Sequence, residues 1–431
     1  MISCMAYIDA NLKTDISTAE LAVMAGYSPW HFSRVFAQEV GMPVMAYIAK
    51  RRLDCALMEI CAGRKGADVA PEYGFDTYAG FYKAFTRMYG CSPRKYLSLY
   101  GTYQAKTNFF GGDIMQEREI REILTNWDIP QDLTIGDVLI MDGTRVTDHM
   151  YRIGPELVLR RGPKHQMLKD MRITNALAEV GFAASKFIAA KCGADYIERE
   201  ADVYVLSHRL PGGSLPKADR FGDNRYDFGY KYGQSLAKLH IALKKVDPNI
   251  VQEEANLYKS VTEWALPNVQ KQNQQWNMGL TDEFFEDYIL EFGKLFDKLP
   301  KQLIHRNPCP CYVFFHNGEV SGFADFDFAE KNIRLWDVCY CSTGLLSESR
   351  GVDNIEEKWS KVLEGILHGY NSVSPFTPEE KQAVYYVLCS IEMFCIAYLA
   401  NMEEFEPLNK NNRTMLQYIA ENKEMICSIL G

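Results

Sequence analysis

A short pattern occurs twice within the first hundred residues. Gly26-Tyr27 returns as Gly74-Phe75, 48 positions on; Phe32, Phe36 and Gly41 return as Phe81, Phe85 and Gly90, 49 positions on. A tight glycine turn followed by a short helix with two phenylalanines one turn apart reads as a helix-turn-helix unit. Two such units at this separation can set two recognition helices in successive major-groove segments of DNA, about 34 Å apart. The repeat therefore constrains the front of the chain to a small all-helical fold and points it toward double-stranded DNA.

Local signals agree with that division. Ser17-Thr18-Ala19-Glu20 fits a capping box, in which hydroxyl and carboxylate exchange bonds with each other's backbone amides. Leu21, Ala22 and Ala25 supply an apolar face, and Gly26 ends the helix. Ser28-Pro29 starts the next helix, with a hydroxyl cap and proline at the first position. There Phe32, Val35, Phe36 and Val40 face inward, leaving Trp30, His31, Ser33, Arg34 and Gln38 outside. An exposed tryptophan beside an arginine suits either a protein contact or base and phosphate contacts in a groove; the duplicated turn favours the groove. In the second unit Asp76-Thr77 caps the helix and Tyr78, Ala79, Tyr82, Lys83 and Thr86 remain for DNA. Gly80 inside that helix costs about 1 kcal/mol relative to alanine. Pro71, within a support helix expected over Ala67–Tyr73, removes an amide, so this unit is expected to bind weakly or by phosphate contact only. A long helix over Pro43–Cys61, carrying Arg51 and Arg52, joins the units.

These residues resemble the DNA-binding domain of AraC/XylS-type transcriptional regulators. The carrying segments are Leu21-Ala22, Ala25-Gly26-Tyr27-Ser28 and His31-Phe32-Ser33-Arg34-Val35-Phe36, then Tyr73-Gly74-Phe75, Phe81, Lys83-Ala84-Phe85, Tyr89-Gly90-Cys91-Ser92-Pro93 and Tyr96. The resemblance covers nearly all of residues 1–100. It implies base reading at Trp30, Ser33 and Arg34 in the first unit and at Tyr78, Ala79, Tyr82 and Lys83 in the second.

The chain has 431 residues, enough for more than one domain, with globular hydrophobic (47%) and charged (24%) fractions. Its net charge of −9 is uneven: the first hundred residues hold 11 basic against 9 acidic side chains, the remainder 36 against 47. DNA contact must therefore be local to the front. Twelve cysteines, with no basic stretch ahead of an apolar run at the N-terminus, read as reduced thiols in a cytoplasmic protein. Val384–Met402 is apolar enough to mimic a membrane span, but its Glu392 is expensive in lipid and a buried core helix is expected, with no membrane partner.

Behind a hinge expected over Gly101–Asp113, Ile114–Trp127 reads as an amphipathic helix. Short apolar alternations follow at Leu133–Met141, Met150–Ile153, Leu157–Arg160 and Val203–Ser207, punctuated by Gly143, Gly154 and Gly162. One helix interrupts them over His165–Val180; from Asp227 onward helical patterning dominates, as in Tyr230–Leu243 and Pro378–Met402. A small antiparallel sheet followed by a large helical lobe is an α+β layout.

The chemical centre of this half is Leu303-Ile304-His305-Arg306-Asn307-Pro308-Cys309-Pro310-Cys311-Tyr312-Val313-Phe314-Phe315, then Phe323-Ala324-Asp325-Phe326-Asp327 and Trp336-Asp337. The segment resembles the catalytic stretch of aminoglycoside phosphotransferases and choline-kinase-like enzymes. The resemblance spans roughly residues 130–431, through the hinge-like Arg209-Leu210-Pro211-Gly212-Gly213. The family loop is H-G-D-x-H-x-x-N, beginning here at His305. Asn307 stands where the aspartate that accepts the hydroxyl proton belongs, and an amide cannot act as a base near neutral pH. Tyr312 stands at the magnesium-binding asparagine. The resemblance further implies that Asp325 is the second metal-binding carboxylate, that Asp337 braces the loop, and that Arg160 takes the place of the phosphate-contacting lysine with Asp170 as its partner. Asp327 is a candidate substitute base, placed on a different strand. Cys309-Pro310-Cys311 and Cys339-Tyr340-Cys341 have soft-ligand chemistry, but the C-x-C spacing is tight and buried thiols are expected instead of metal. His31, His240 and His368 read as surface or packing residues.

The expected architecture is multidomain: an all-α double helix-turn-helix domain (1–100), a linker and helix (101–129), and a bilobal α+β protein-kinase-like domain with an N-lobe over 130–213 and a helical C-lobe over 214–431. The expected function is a sequence-specific DNA-binding transcriptional regulator whose phosphotransferase-like domain senses a small-molecule effector or makes an interaction; a stability or dimerisation module is weighed equally for that domain. The alternative is a small-molecule kinase, using ATP or GTP with magnesium, fused to its own regulator. Expected partners are promoter DNA and RNA polymerase.

Overall fold

The structure is a computed structural model. It describes residues 4, 7–8, 11–40, 43–61, 64–89, 93, 115, 117–137, 150–199, 202–213, 220–247, 249–251, 254–347, 354–400 and 406–431. Gly41, Gly90, Cys91, Ser92, Tyr96, the hinge expected over 101–113, Gly143, the end of the strand expected over Leu133–Met141, and the side chains of Gln38, Val40 and Cys311 lie outside the described residues. Two compact units emerge, one from residues 1–114 with 401–407 and one from 115–400 and 408–431.

The front unit is helical: α1 (Thr18–Met24), α2 (Pro29–Val40), α3 (Val44–Cys61), α4 (Gly66–Glu72) and α5 (Tyr78–Tyr89). The capping box at Ser17 and Glu20 is formed in both directions. The duplicated turns have the same geometry. Gly26 and Gly74 take φ of +72° and +79°, which glycine adopts without a Cβ penalty. In one turn Tyr27 N–H donates to Ala22 C=O at 2.9 Å; in the other Phe75 N–H donates to Ala70 C=O at 3.1 Å. Phe32, Phe36, Phe81 and Phe85 are fully buried beneath the two second helices. Val35 is only half-buried. Pro71 lies inside α4, and that helix ends one residue later in the Gly74 turn.

The rear unit begins with α6 (Glu117–Leu124). This helix, placed in a linker by the sequence, is part of the unit's core: Ile120, Ile123, Leu124 and Trp127 pack with Tyr151, Ile153, Leu159 and Leu206 of the sheet. That sheet is antiparallel, in the order β1-β2-β3-β5-β4, from β1 (Ile135–Asp137), β2 (Met150–Ile153), β3 (Leu157–Pro163), β4 (Ile197–Arg199) and β5 (Asp202–His208). Helix α7 (Lys164–Glu179) follows β3 directly and puts Asp170 under the sheet. The Pro211-Gly212-Gly213 segment then docks on the helical lobe: Gly213 exchanges backbone bonds with Phe315, and a Cβ on Gly212 would overlap the Phe315 carbonyl.

The helical lobe carries α8 (Arg225–Leu243), the paired strands β6 (Lys301–Ile304) and β9 (Glu330–Ile333), the hairpin β7 (Val313–His316) and β8 (Glu319–Phe323), and α9 (Leu335–Ser347), α10 (Ile355–Val373) and α11 (Pro378–Leu399). The β6–β9 ladder pairs Ile304 with Glu330, so His305 leaves the ladder at the end where the chain from Asp325 enters it. Helix α11 is the apolar segment with membrane-like composition; 83% of its most apolar window is buried inside the unit. Its start is fixed by a capping box at Thr377 and Glu380, and the Glu380 carboxylate also takes a two-point bond from Arg334 at 2.7 Å.

Two predictions follow from this packing. Helices α8 and α10 touch through glycines: a Cβ on Gly233 would overlap the Ile366 carbonyl oxygen. Gly233→Ala should destabilise the rear unit by about 1–3 kcal/mol in urea unfolding. Within α11, burial pushes the Glu392 carboxyl up from 4.5 to about 8, and its Oε2 lacks a hydrogen-bond partner among the described residues. Between those values the folded state holds a proton that the unfolded chain has released, so this group lowers stability increasingly as pH rises through the window. Glu392→Gln should therefore match the native Tm at about pH 4 and exceed it at about pH 8 in thermal melts.

Candidate functional site

In the rear unit the site is built around the turn after β6. Arg306 takes φ of +74°, a left-handed conformation uncommon outside glycine. Buried Asp337, in the first turn of α9, holds this turn. Its Oδ2 accepts the His305 amide at 2.7 Å and its Oδ1 accepts the Arg306 amide at 2.8 Å. His240 from α8 braces Asp337 in turn, with Nε2 at 2.9 Å from Oδ2 and Nδ1 at 2.8 Å from the Tyr370 hydroxyl. The Arg306 side chain stacks on Trp336, 3.7 Å from its ring centroid, and bridges to Glu330 at 2.8 Å. Burial lowers the His305 pKa, opposed by Asp337 and Asp325, and its Nε2 lies 3.0 Å from the Ala324 carbonyl.

The position expected to carry a base holds Asn307, buried, with its Oδ1 accepting from the Cys309 thiol at 2.8 Å. An amide has no basic lone pair for a hydroxyl proton. Tyr312 is half-buried and enters the loop through its backbone, its N–H donating to Cys309 C=O and its carbonyl accepting from the Ala324 amide. Asp325 takes φ of +72° and is buried, as is Asp327. Arg160 on β3 pairs with Asp170 of α7, and its second terminal nitrogen lies 3.8 Å from Asp325 Oδ1. Burial works against the Arg160 charge; Asp170 and then Asp325 outweigh it and raise its pKa. Asp170 Oδ1 also accepts the Phe326 amide at 2.7 Å, tying α7 to the Asp325 turn.

These donors do not fit a magnesium nucleotide. Magnesium wants oxygen ligands at about 2.0–2.1 Å in near-octahedral geometry, usually one or two carboxylates plus phosphates and waters. Here the amide oxygen of Asn307 is engaged by a thiol, a phenol stands at residue 312, and Asp325 faces a guanidinium. Among the described residues no group of three or more His, Cys, Asp or Glu is arranged to hold a metal ion. Cys339 and Cys341 are buried thiols whose pKa values burial pushes up; they point at the Val384 and Val338 carbonyls.

On the front unit the outer face of α2 presents Trp30, 73% exposed, with the Arg34 guanidinium 5.1 Å from its ring centroid. His31 and Ser33 are half-buried: His31 stands edge-on to Tyr27, and the Ser33 hydroxyl donates to the Pro29 carbonyl at 2.9 Å. On α5, Tyr78, Ala79, Tyr82 and Lys83 are exposed together, with Tyr78 also against Phe81. Arg51 and Arg52 are elsewhere. Arg51 is buried at 6% exposure, and Arg52 donates to the Leu12 and Thr14 carbonyls at 3.0 and 2.6 Å, so neither is presented to DNA as the sequence leads one to expect.

Residues 144–381, over half of the chain, match a phosphotransferase enzyme family, and residues 21–98 match a helix-turn-helix domain. The chain belongs to the phosphotransferase family and carries an AraC-type helix-turn-helix domain. The front is 37% identical over 93 residues to the HTH-type transcriptional activator AarP of Providencia stuartii, covering 21% of this chain and 69% of that protein. It is 32% identical over 91 residues to the right origin-binding protein of Escherichia coli (strain K12), covering 21% of this chain and 32% of that one. The rear shares its fold with a microcompartment-associated aminopropanol kinase (TM-score 0.52, 12% identity, 73% of this chain and 99% of that one). It also shares it with the GDP complex of aminoglycoside 2'-phosphotransferase-IIIa (TM-score 0.50, 15% identity, 72% of this chain and 100% of that one). At these identities the likeness concerns fold alone.

Sequence reasoning missed Arg306. The available signal was its place in the loop pattern, where the family has glycine and this chain puts a side chain at positive φ. The Cys309 thiol bond to Asn307 had no sequence signal. Asp337→Ala should cost about 1–3 kcal/mol for each loop amide left without an acceptor, read by urea unfolding, and Asp337→Asn should cost less.

Proposed function

We propose that this chain is a transcriptional regulator that reads double-stranded promoter DNA through α2 and α5, and whose rear unit receives a small-molecule effector or a protein contact without transferring phosphate. The observation that carries the second half is Asn307. The loop around it is held by Asp337 in two hydrogen bonds, yet the side chain at the base position is an amide engaged by the Cys309 thiol. A held loop without a base supports binding in preference to turnover. For the first half, Trp30 and Arg34 form an exposed cation–aromatic pair on a helix of AraC type, suited to base edges and phosphates. RNA polymerase is the partner through which such a regulator would act, in the cytoplasm. The test is binding to the upstream DNA of its own gene. Arg34→Ala should weaken it by about 1–3 kcal/mol and relax preference at one base position. Lys83→Ala should weaken it evenly across sequences with a shallower salt dependence. An unchanged Kd for Arg34→Ala would remove base reading from α2.

A further inference from the structure

We propose that Arg160 is the resident cation of the rear unit's site: a fixed internal charge in place of the family's divalent metal, with Asp170 and Asp325 as its counter-ions. The inference rests on reading this unit as a domain that does not transfer phosphate, and it says what the altered site is built to do electrostatically.

Three side chains carry it. Arg160 comes from the middle of β3, opposite Val205 in the ladder, and its side chain is 11% exposed. Asp170 comes from α7 and Asp325 from the turn after β8; their side chains are 2% and 3% exposed. A carboxylate removed from water needs a cation or a proton. Arg160 supplies the cation to both, through one terminal nitrogen to Asp170 and the other, 3.8 Å away, to Asp325. Its planar fork suits two carboxylates at once, whereas a lysine would be a movable point charge. Asp170 cannot swing away cheaply, because its other oxygen holds the Phe326 amide at 2.7 Å.

This arrangement opposes a metal for two reasons. A divalent ion on Asp325 would sit within a few ångströms of a guanidinium that burial protects from screening, so the two cations repel strongly. The ligands such an ion would recruit are also altered, with a phenol at Tyr312 and a thiol-bonded amide at Asn307. The rear unit's site should therefore hold its shape, and accept whatever it accepts, without divalent cation. Removing the guanidinium should reverse this: two buried carboxylates left without their cation need a proton or a metal, and at alkaline pH a supplied metal should win.

The experiment uses the full chain and manganese as a paramagnetic stand-in for magnesium. The native protein should bind no stoichiometric Mn²⁺ by electron paramagnetic resonance, and its Tm should not respond to Mn²⁺ or EDTA. At alkaline pH Arg160→Met should melt lower, bind one Mn²⁺ per chain and recover Tm when it is added. Arg160→Met combined with Asp325→Asn should lose that recovery. If Arg160→Met does not fold, native protein and Asp325→Asn decide: the single variant leaves Arg160 paired with Asp170, so neither should bind the ion. One Mn²⁺ bound by the native chain and lost on Asp325→Asn would overturn the proposal, as would an Arg160→Met protein indifferent to Mn²⁺. Failure of DNA binding would count against the regulator reading and leave these cation measurements untouched.

Discussion

One buried carboxylate gives the loop at His305 and Arg306 its shape. Asp337 takes two consecutive amides, and consecutive amides converge on one acceptor only when the chain between them turns sharply, here through positive φ at Arg306. His240 and Tyr370 fix the carboxylate from behind, so the brace reaches into the core formed by α8 and α10. In front of this brace the Asn307 amide accepts from the Cys309 thiol, the Tyr312 carbonyl accepts the Ala324 amide, and Asp325 faces Arg160. In this held loop the position expected to carry the proton-accepting carboxylate is occupied by the Asn307 amide.

The same separation of scaffold from chemistry marks the front unit. The two turns repeat at the level of single hydrogen bonds, and four phenylalanines fill equivalent buried positions. What differs between the units is the outer face, with tryptophan and arginine on α2 and two tyrosines and a lysine on α5. Apolar anchors set the fold, and the residues exposed between them differ from one helix to the other.

Much of this was legible because its signals are local. Caps, glycine turns and phenylalanine spacing lie within a few residues of the structure they specify, and the three strands and one helix expected between Met150 and Ser207 fall close to their bounds, whereas the short strand β4 has no counterpart among the expected elements. Long-range contacts were not legible. Arg51 and Arg52 look like DNA contacts on a basic helix, yet the carbonyls of Leu12 and Thr14, some 40 residues back, capture Arg52, and packing covers Arg51. The helix before the sheet reads as amphipathic in the sequence, but the partners of its apolar face lie far along the chain, in residues such as Tyr151 and Leu206. In the loop, the sequence pattern singled out Asn307 and Tyr312, while geometry added that the Asn307 amide is already engaged by a thiol.

The central claim is that a held loop without a base does not transfer phosphate at an enzymatic rate. Its most direct test is single-turnover transfer from radiolabelled ATP or GTP with magnesium, with an aminoglycoside or an amino alcohol as acceptor and the full chain in excess over nucleotide. The account predicts no labelled product above the rate in buffer. Product formed at an ordinary enzymatic rate, and abolished by Asp325→Ala, would contradict it.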